Sequence, residues 1–196
     1  MAHEPQRLVL ASASPRRLDL LRQIGLEPAA VVAAEVDESP LKDETPRLLA
    51  IRLAGAKAAR VAADEPAAYV LGADTVVALG RRVLPKAETA DEVRACLDLL
   101  SGRAHRVLTA VAVVAPGGGR TARRLVETRV RFKRLSPQDI AGYLASGEGL
   151  GKAGGYGVQG RAGGFVTALQ GSYPAVVGLP LYETASLLGG LGYRLP

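Results

Sequence analysis

Tyr69-Val70-Leu71-Gly72-Ala73-Asp74-Thr75-Val76-Val77-Ala78-Leu79-Gly80-Arg81-Arg82-Val83-Leu84 is the stretch that fixes the architecture. Tyr69–Ala73 and Thr75–Leu79 are strand-length apolar runs with Asp74 set between them. Gly80-Arg81 has the form of a two-residue turn, and Arg82-Val83-Leu84 returns from it, so the stretch predicts a hairpin. Working outward, Leu8–Ala11 predicts a short buried strand. Val107–Ala115 and about Arg124–Lys133 flank Pro116-Gly117-Gly118-Gly119 as a longer hairpin. Helices punctuate these strands. Ser14-Pro15, Thr45-Pro46 and Ser136-Pro137 each place a capping hydroxyl before a proline suited to the first helical position. Gly25 stops the first of these helices. Thr89 with Glu92 forms a capping box for a helix to about Leu100, and a last helix covers roughly Pro180–Leu188. Strands joined by both helices and hairpins predict an α/β fold with a mixed sheet.

The chain has 196 residues, 48% of them hydrophobic, which is enough for a substantial core. Charged residues make up 22%, an ordinary globular share. Cys96 is the single cysteine, so no intramolecular disulfide or multi-cysteine metal cluster forms; His3 and His105 make no zinc pattern. The polar start Met1–Arg7 has no secretory apolar stretch, and no run approaches the roughly 20 residues of a membrane span. The expectation is a cytoplasmic protein with no membrane partner. A formal charge of +6 points to anionic ligands. Most of the surplus sits in Arg120–Arg134, which has seven basic residues and one Glu. In that segment Val126, Thr128, Val130 and Phe132 share one strand face, and Glu127, Arg129, Arg131 and Lys133 the other.

Five segments carry candidate chemistry. Ser12-Ala13-Ser14-Pro15-Arg16-Arg17 lies between a strand and a helix N-terminus, as a polyphosphate cradle or a capped helix with exposed arginines. Glu35-Val36-Asp37-Glu38 clusters carboxylates in a loop, suited to Mg²⁺ or Mn²⁺ or merely solvated. Asp74, alone in an apolar run, needs an ionic or hydrogen-bonding partner or a metal, or else makes a local turn. Lys57 follows Leu49 and Leu53 at four-residue steps on one helix face, while Lys86 follows the hairpin. Lys152 opens Gly151-Lys152-Ala153-Gly154-Gly155-Tyr156-Gly157-Val158-Gln159-Gly160-Arg161, a surface loop or a backbone nest around a ligand. Gln159 offers donor and acceptor to a base edge.

Taken in order, Ser12–Arg17, Asp37-Glu38, Arg52–Ala58, Gly72–Val77, Leu100–Ala112, Lys152–Gly160 and Gly171–Leu181 resemble the Maf family of nucleoside triphosphate pyrophosphatases. The resemblance implies an elongated, mixed-sheet α/β fold of the inosine-triphosphatase-like type. It implies a single domain over residues 1–196, with two lobes sharing one sheet and an active cleft between them. It implies hydrolysis of dTTP, UTP and related modified pyrimidine triphosphates to monophosphate and pyrophosphate, with a divalent cation. A homodimer, nucleotide-pool housecleaning and a link to septum formation also belong to that expectation. By the same resemblance Asp74 corresponds to the proton acceptor. Arg16, Thr75 and Gln159 correspond to positions tied to substrate choice, and Ser12, Arg17, Lys57, Lys86 and Lys152 to phosphate-side groups. Asp37 and Glu38 correspond to an acid pair that joins Asp74 around Mg²⁺ or Mn²⁺. Two positions depart from the family pattern: Pro85-Lys86-Ala87 stands where Gly-Lys-Pro or Glu-Lys-Pro is usual, and Gly151 where many relatives carry Asp.

Two other classes compete. A nucleic-acid module would track phosphates with Arg129, Arg131 and Lys133, but aromatics are 4% of residues and Trp is absent, so stacking platforms are scarce. A regulatory nucleotide binder without catalysis would use the same cleft.

Overall fold

The protein is described here by a computed structural model covering residues 6–196. His3 and the polar start as far as Pro5 lie outside the described residues. Strand β1 (Leu8–Ala11) leads into α1 (Pro15–Gln23), a two-residue β2 (Ala30–Val31) and the long α2 (Pro46–Asp64). The hairpin β3 (Tyr69–Leu79) and β4 (Arg82–Leu84) follows, then β5 (Lys86–Ala87) and α3 (Ala90–Leu100). The second hairpin is β6 (Ala104–Val114) and β7 (Thr121–Phe132). It is followed by α4 (Pro137–Ser146), β8 (Lys152–Ala153), a 3-10 turn at Arg161–Phe165, β9 (Val166–Gln170), α5 (Tyr173–Val177) and α6 (Leu181–Gly190). A mixed seven-stranded sheet runs β2-β1-β3-β6-β7-β9, with β4 on β3; β5 and β8 form a separate ribbon. The β1 pairings are parallel and the rest antiparallel, as a mixture of crossovers and hairpins requires.

The capping signals act as their residue types dictate. Thr45 accepts the Leu48 amide, and Thr89–Glu92 and Ser136–Asp139 form reciprocal boxes. Ser14 differs: its backbone is extended at the N-cap, but its side chain caps nothing. Ser12 Oγ instead accepts the Ser14 amide at 3.2 Å.

Asp74 does not break its strand, contrary to the division of that stretch expected from sequence. β6 pairs β3 continuously from Val70 to Ala78, with Asp74 opposite Ala110. The reason is a partner: the carboxylate meets Lys57, so it needs no turn or solvent. The opposite edge of β3 is forked. β1 pairs Tyr69–Gly72 there and β4 pairs Val77–Leu79, leaving Ala73–Val76 without a strand partner among the described residues. Even and odd residues of β3 pack on different faces. Val70, Val76 and Ala78 meet α2, whereas Leu71 and Ala73 meet α1 and α6, and Val77 meets the α3–α4 core. Asp74 and Thr75 therefore project to opposite faces at the fork.

Gly72 makes this arrangement possible. A Cβ there would lie 2.6 Å from both Ala54 O and Ala58 N, so α2 rests directly on the β3 backbone. That approach delivers Lys57 to Asp74.

Candidate active site

A cavity of about 670 Å³ opens at the fork. Five cations, Arg16, Arg17, Lys57, Lys86 and Lys152, line it against two acids, Glu38 and Asp74. That excess suits a multiply charged anion such as a polyphosphate. Val77, Val107, Tyr156, Val176 and Val177 supply an apolar wall.

At the acid end, Lys57 Nζ lies 2.7 Å from Asp74 Oδ1 and 2.6 Å from Glu38 Oε1. Asp74 and Lys57 are 7% and 8% exposed, so the pair is effectively inside the protein. Lys57 occupies Oδ1, and among the described residues Oδ2 has no hydrogen-bond partner and is not sealed away from the cavity that Asp74 lines. Glu38 reaches Lys57 from a loop that Arg52 fastens. Arg52 binds Glu44 at 2.7 and 2.9 Å and Ser39 O at 2.9 Å. Asp37 points elsewhere: it accepts the Ser39 amide at 2.9 Å, which holds it below the usual carboxylate range, and it does not line the cavity. The structure thus brings Glu38 and Asp74 together and leaves Asp37 out. Among the described residues no three acids, histidines or cysteines converge as a metal cluster. The donor set still fits a hard cation, because Mg²⁺ takes one or two carboxylates and completes its shell with substrate oxygens.

On the other face, Arg17 is clamped. Its Nε donates to Gly178 O at 2.9 Å, one terminal nitrogen to Ser12 Oγ at 3.0 Å and the other to Thr75 Oγ1 at 3.4 Å. Burial holds its basicity down; Asp74 opposes that shift, Arg16 reinforces it and Glu38 opposes it. Arg16 has no ion-pair or hydrogen-bond partner among the described residues, and burial alone holds it below the ordinary guanidinium value. An arginine kept half-buried without an acid is ready for an anionic or carbonyl ligand.

The glycine-rich segment folds tightly into short regular pieces, and the amides of Gly151, Gly154, Gly155, Gly157 and Gly160 donate within the protein rather than into the cavity. Gly151, Gly154 and Gly155 have positive φ, and β8 pairs Lys86 with Ala153 across the ribbon. The two departures from the family pattern touch: the Gly151 amide donates to Ala87 O at 2.7 Å. Lys152 bonds Glu148 O; burial and then Arg16 hold its basicity down, against the pull of Glu148. Lys86 is more exposed and stands 3.7 Å from Glu88. Gln159 is exposed at the rim. A Cβ at Gly157 would lie 3.0 Å from Lys152 and 3.2 Å from Gln159 Nε2, so that glycine keeps the two side chains close.

The basic strand contributes nothing to the cavity. Arg129 and Arg131 are exposed on β7, while Val130 and Phe132 are buried as the alternation predicts. Three residues that shape the site escaped the sequence reading as site residues. Gly72 and Arg52 fell within noted motifs, and Thr109 is the single hydroxyl in the apolar run Val107–Ala115.

Residues 7–191 match a family described as Maf-like protein. The chain is 68% identical over 187 residues to the dTTP/UTP pyrophosphatase of Caulobacter vibrioides, covering 95% of this chain and 96% of the relative. It is 61% identical over 195 residues to that of Rhodopseudomonas palustris, covering 96% and 94%. Among solved structures, the Staphylococcus aureus Ham1 protein aligns over 65% of this chain and 72% of its own, with 15% identity and a TM-score of 0.46.

Proposed function

The chain belongs to the Maf-like family, and from that premise we propose that it hydrolyses dTTP and UTP to the monophosphate and pyrophosphate. The observation that carries the reading is Asp74, held through one oxygen by Lys57 at the floor of a cavity rich in cations. Water attacks the α-phosphorus, its oxygen bonding to phosphorus as the bond to the β-phosphate oxygen breaks. Asp74 Oδ2 takes the water proton, and pyrophosphate leaves with the bonding electron pair. Arg17, Lys86 and Lys152 balance the charge on the triphosphate, and the clamp on Arg17 fixes its guanidinium before substrate arrives. Glu38 and Asp74 would hold a divalent cation, Mg²⁺ or Mn²⁺, which when bound supplies a Lewis acid for phosphate oxygens. Asp37 would join it only if its loop turned. Ser12 keeps Arg17 in place. Arg16, Thr75 and Gln159 read the pyrimidine edge beside the apolar wall.

Modified pyrimidine triphosphates belong to the same proposal, since the wall is formed by side chains without a fixed polar group at every position. A cytoplasmic pool-cleaning role, an influence on septum formation and a homodimer are proposed on the family resemblance. Among the described residues no helix is long and apolar enough to cross a membrane.

The test is a panel of nucleoside triphosphates with Mg²⁺ or Mn²⁺, read as pyrophosphate. Release from dTTP and UTP is expected; no release from any nucleotide would leave a binder without catalysis.

A further inference from the structure

Thr109 is fully buried in β6, opposite Thr75 in β3. Its Oγ1 lies 2.7 Å from Ala175 O and 3.2 Å from Thr75 Oγ1. A hydroxyl has one proton, and a carbonyl oxygen can only accept. Thr109 therefore gives its proton to Ala175 O, in a place where that carbonyl is buried with α5. The Thr75–Thr109 contact is then made only if Thr75 donates. The alternative sets two hydroxyl oxygens lone pair against lone pair and leaves the buried Thr109 oxygen without a donor, which costs a hydrogen bond. Thr75 Oγ1 is left with lone pairs alone. Arg17 approaches one at 3.4 Å, and the other remains for a ligand in the cavity that Thr75 lines.

We infer that Thr109 is a positioning residue that sets the polarity of Thr75, making Thr75 an acceptor toward the base. This rests on the reading of the cavity as a pyrimidine triphosphate site, and deepens it. An acceptor at that point selects a base edge with a donor. The imide N3–H of uracil or thymine is such a donor, flanked by carbonyls that suit the Gln159 amide and the Arg16 guanidinium. Cytosine presents a bare N3 acceptor in the same place, which meets Thr75 lone pair to lone pair. The discrimination would originate in a buried threonine that never touches substrate.

The experiment measures kcat/KM for UTP and for CTP in the natural protein, Thr109→Val, Thr109→Ser and Thr75→Val. Thr109→Val keeps the branched shape and frees the Thr75 proton to turn into the cavity. The UTP-to-CTP ratio should fall about tenfold, the scale of one matched hydrogen bond, and Thr109→Ser should restore it. Adding Thr109→Val to Thr75→Val should change the ratio no further. An equal loss on both nucleotides, or a ratio unchanged beside a lowered melting temperature, would overturn the inference and leave the hydrolase reading standing. Absence of hydrolysis by the natural protein would overturn both.

Discussion

Asp74 and Lys57 depend on each other. Asp74→Asn keeps the shape of the side chain and leaves Glu38 to hold the lysine, so the circular dichroism spectrum should stay natural. Turnover should fall by about 10²–10⁴, the usual weight of a positioned proton acceptor. Lys57→Met leaves a buried carboxylate without its cation, a loss on the order of 3–5 kcal/mol. Thermal melting should show a large decrease, and adding Asp74→Asn should restore much of it, because the two residues form one unit. His105 gives a separate pH signature. It is 2% exposed, bonded through Nε2 to Tyr156 at 2.7 Å, with Nδ1 unpartnered among the described residues, and burial lowers its pKa from 6.5 to about 4. Between those values the unfolded chain binds the extra proton. Stability is therefore complete above pH 6.5 and is lost as pH falls toward 4, by roughly 3 kcal/mol. A melting series over that range should show the decline, and His105→Gln should flatten it. Asp74 was legible in sequence because a lone acid in an apolar run must have a partner, and Lys57 because it continues the Leu49–Leu53 stripe. The contact of Glu38 was not legible: a loop carries no periodicity, and only the Arg52 clamp decides that Glu38 turns inward while Asp37 turns to Ser39.

At the scale of elements, β3 carries the site because its two edges differ. One edge is paired throughout, and the other is split between β1 and β4. Turn and capping signals gave the hairpins and most helix starts, since these depend on a few adjacent residues. The two-residue strands β2, β5 and β8 left no such signal; each exists only because a partner strand lies beside it. The fork itself is a fact of pairing across the chain and has no local signature. The α2–β3 contact should be sensitive at Gly72. Gly72→Ala places a methyl carbon against two backbone atoms of α2, which should cost about 1–3 kcal/mol. Because Lys57 moves with the helix, turnover should fall as well. Melting and kcat measured together check this; a variant stable and active as the natural protein would show that α2 is not seated as described.

For the whole molecule, one sheet underlies three apolar cores, and α2 bridges the fork from one side. We propose that residues 1–196 act as a single domain, which calls for one cooperative unfolding transition; two resolved transitions would divide it into independent lobes. The net charge of +6 pointed to an anionic ligand chiefly through Arg120–Arg134, yet Arg129 and Arg131 are exposed and no residue of that segment lines the cavity. The cavity has its own excess of three positive charges, set by Arg16, Arg17, Lys57, Lys86 and Lys152 against Glu38 and Asp74. Those charges share the cavity with Asp74, the carboxylate proposed to take a proton from water attacking the α-phosphorus. Hydrolysis of UTP in ¹⁸O-labelled water, followed by mass spectrometry of both products, reads that step directly. The label is expected in UMP and absent from pyrophosphate; label in pyrophosphate, or release of orthophosphate in its place, would contradict attack at the α-phosphorus.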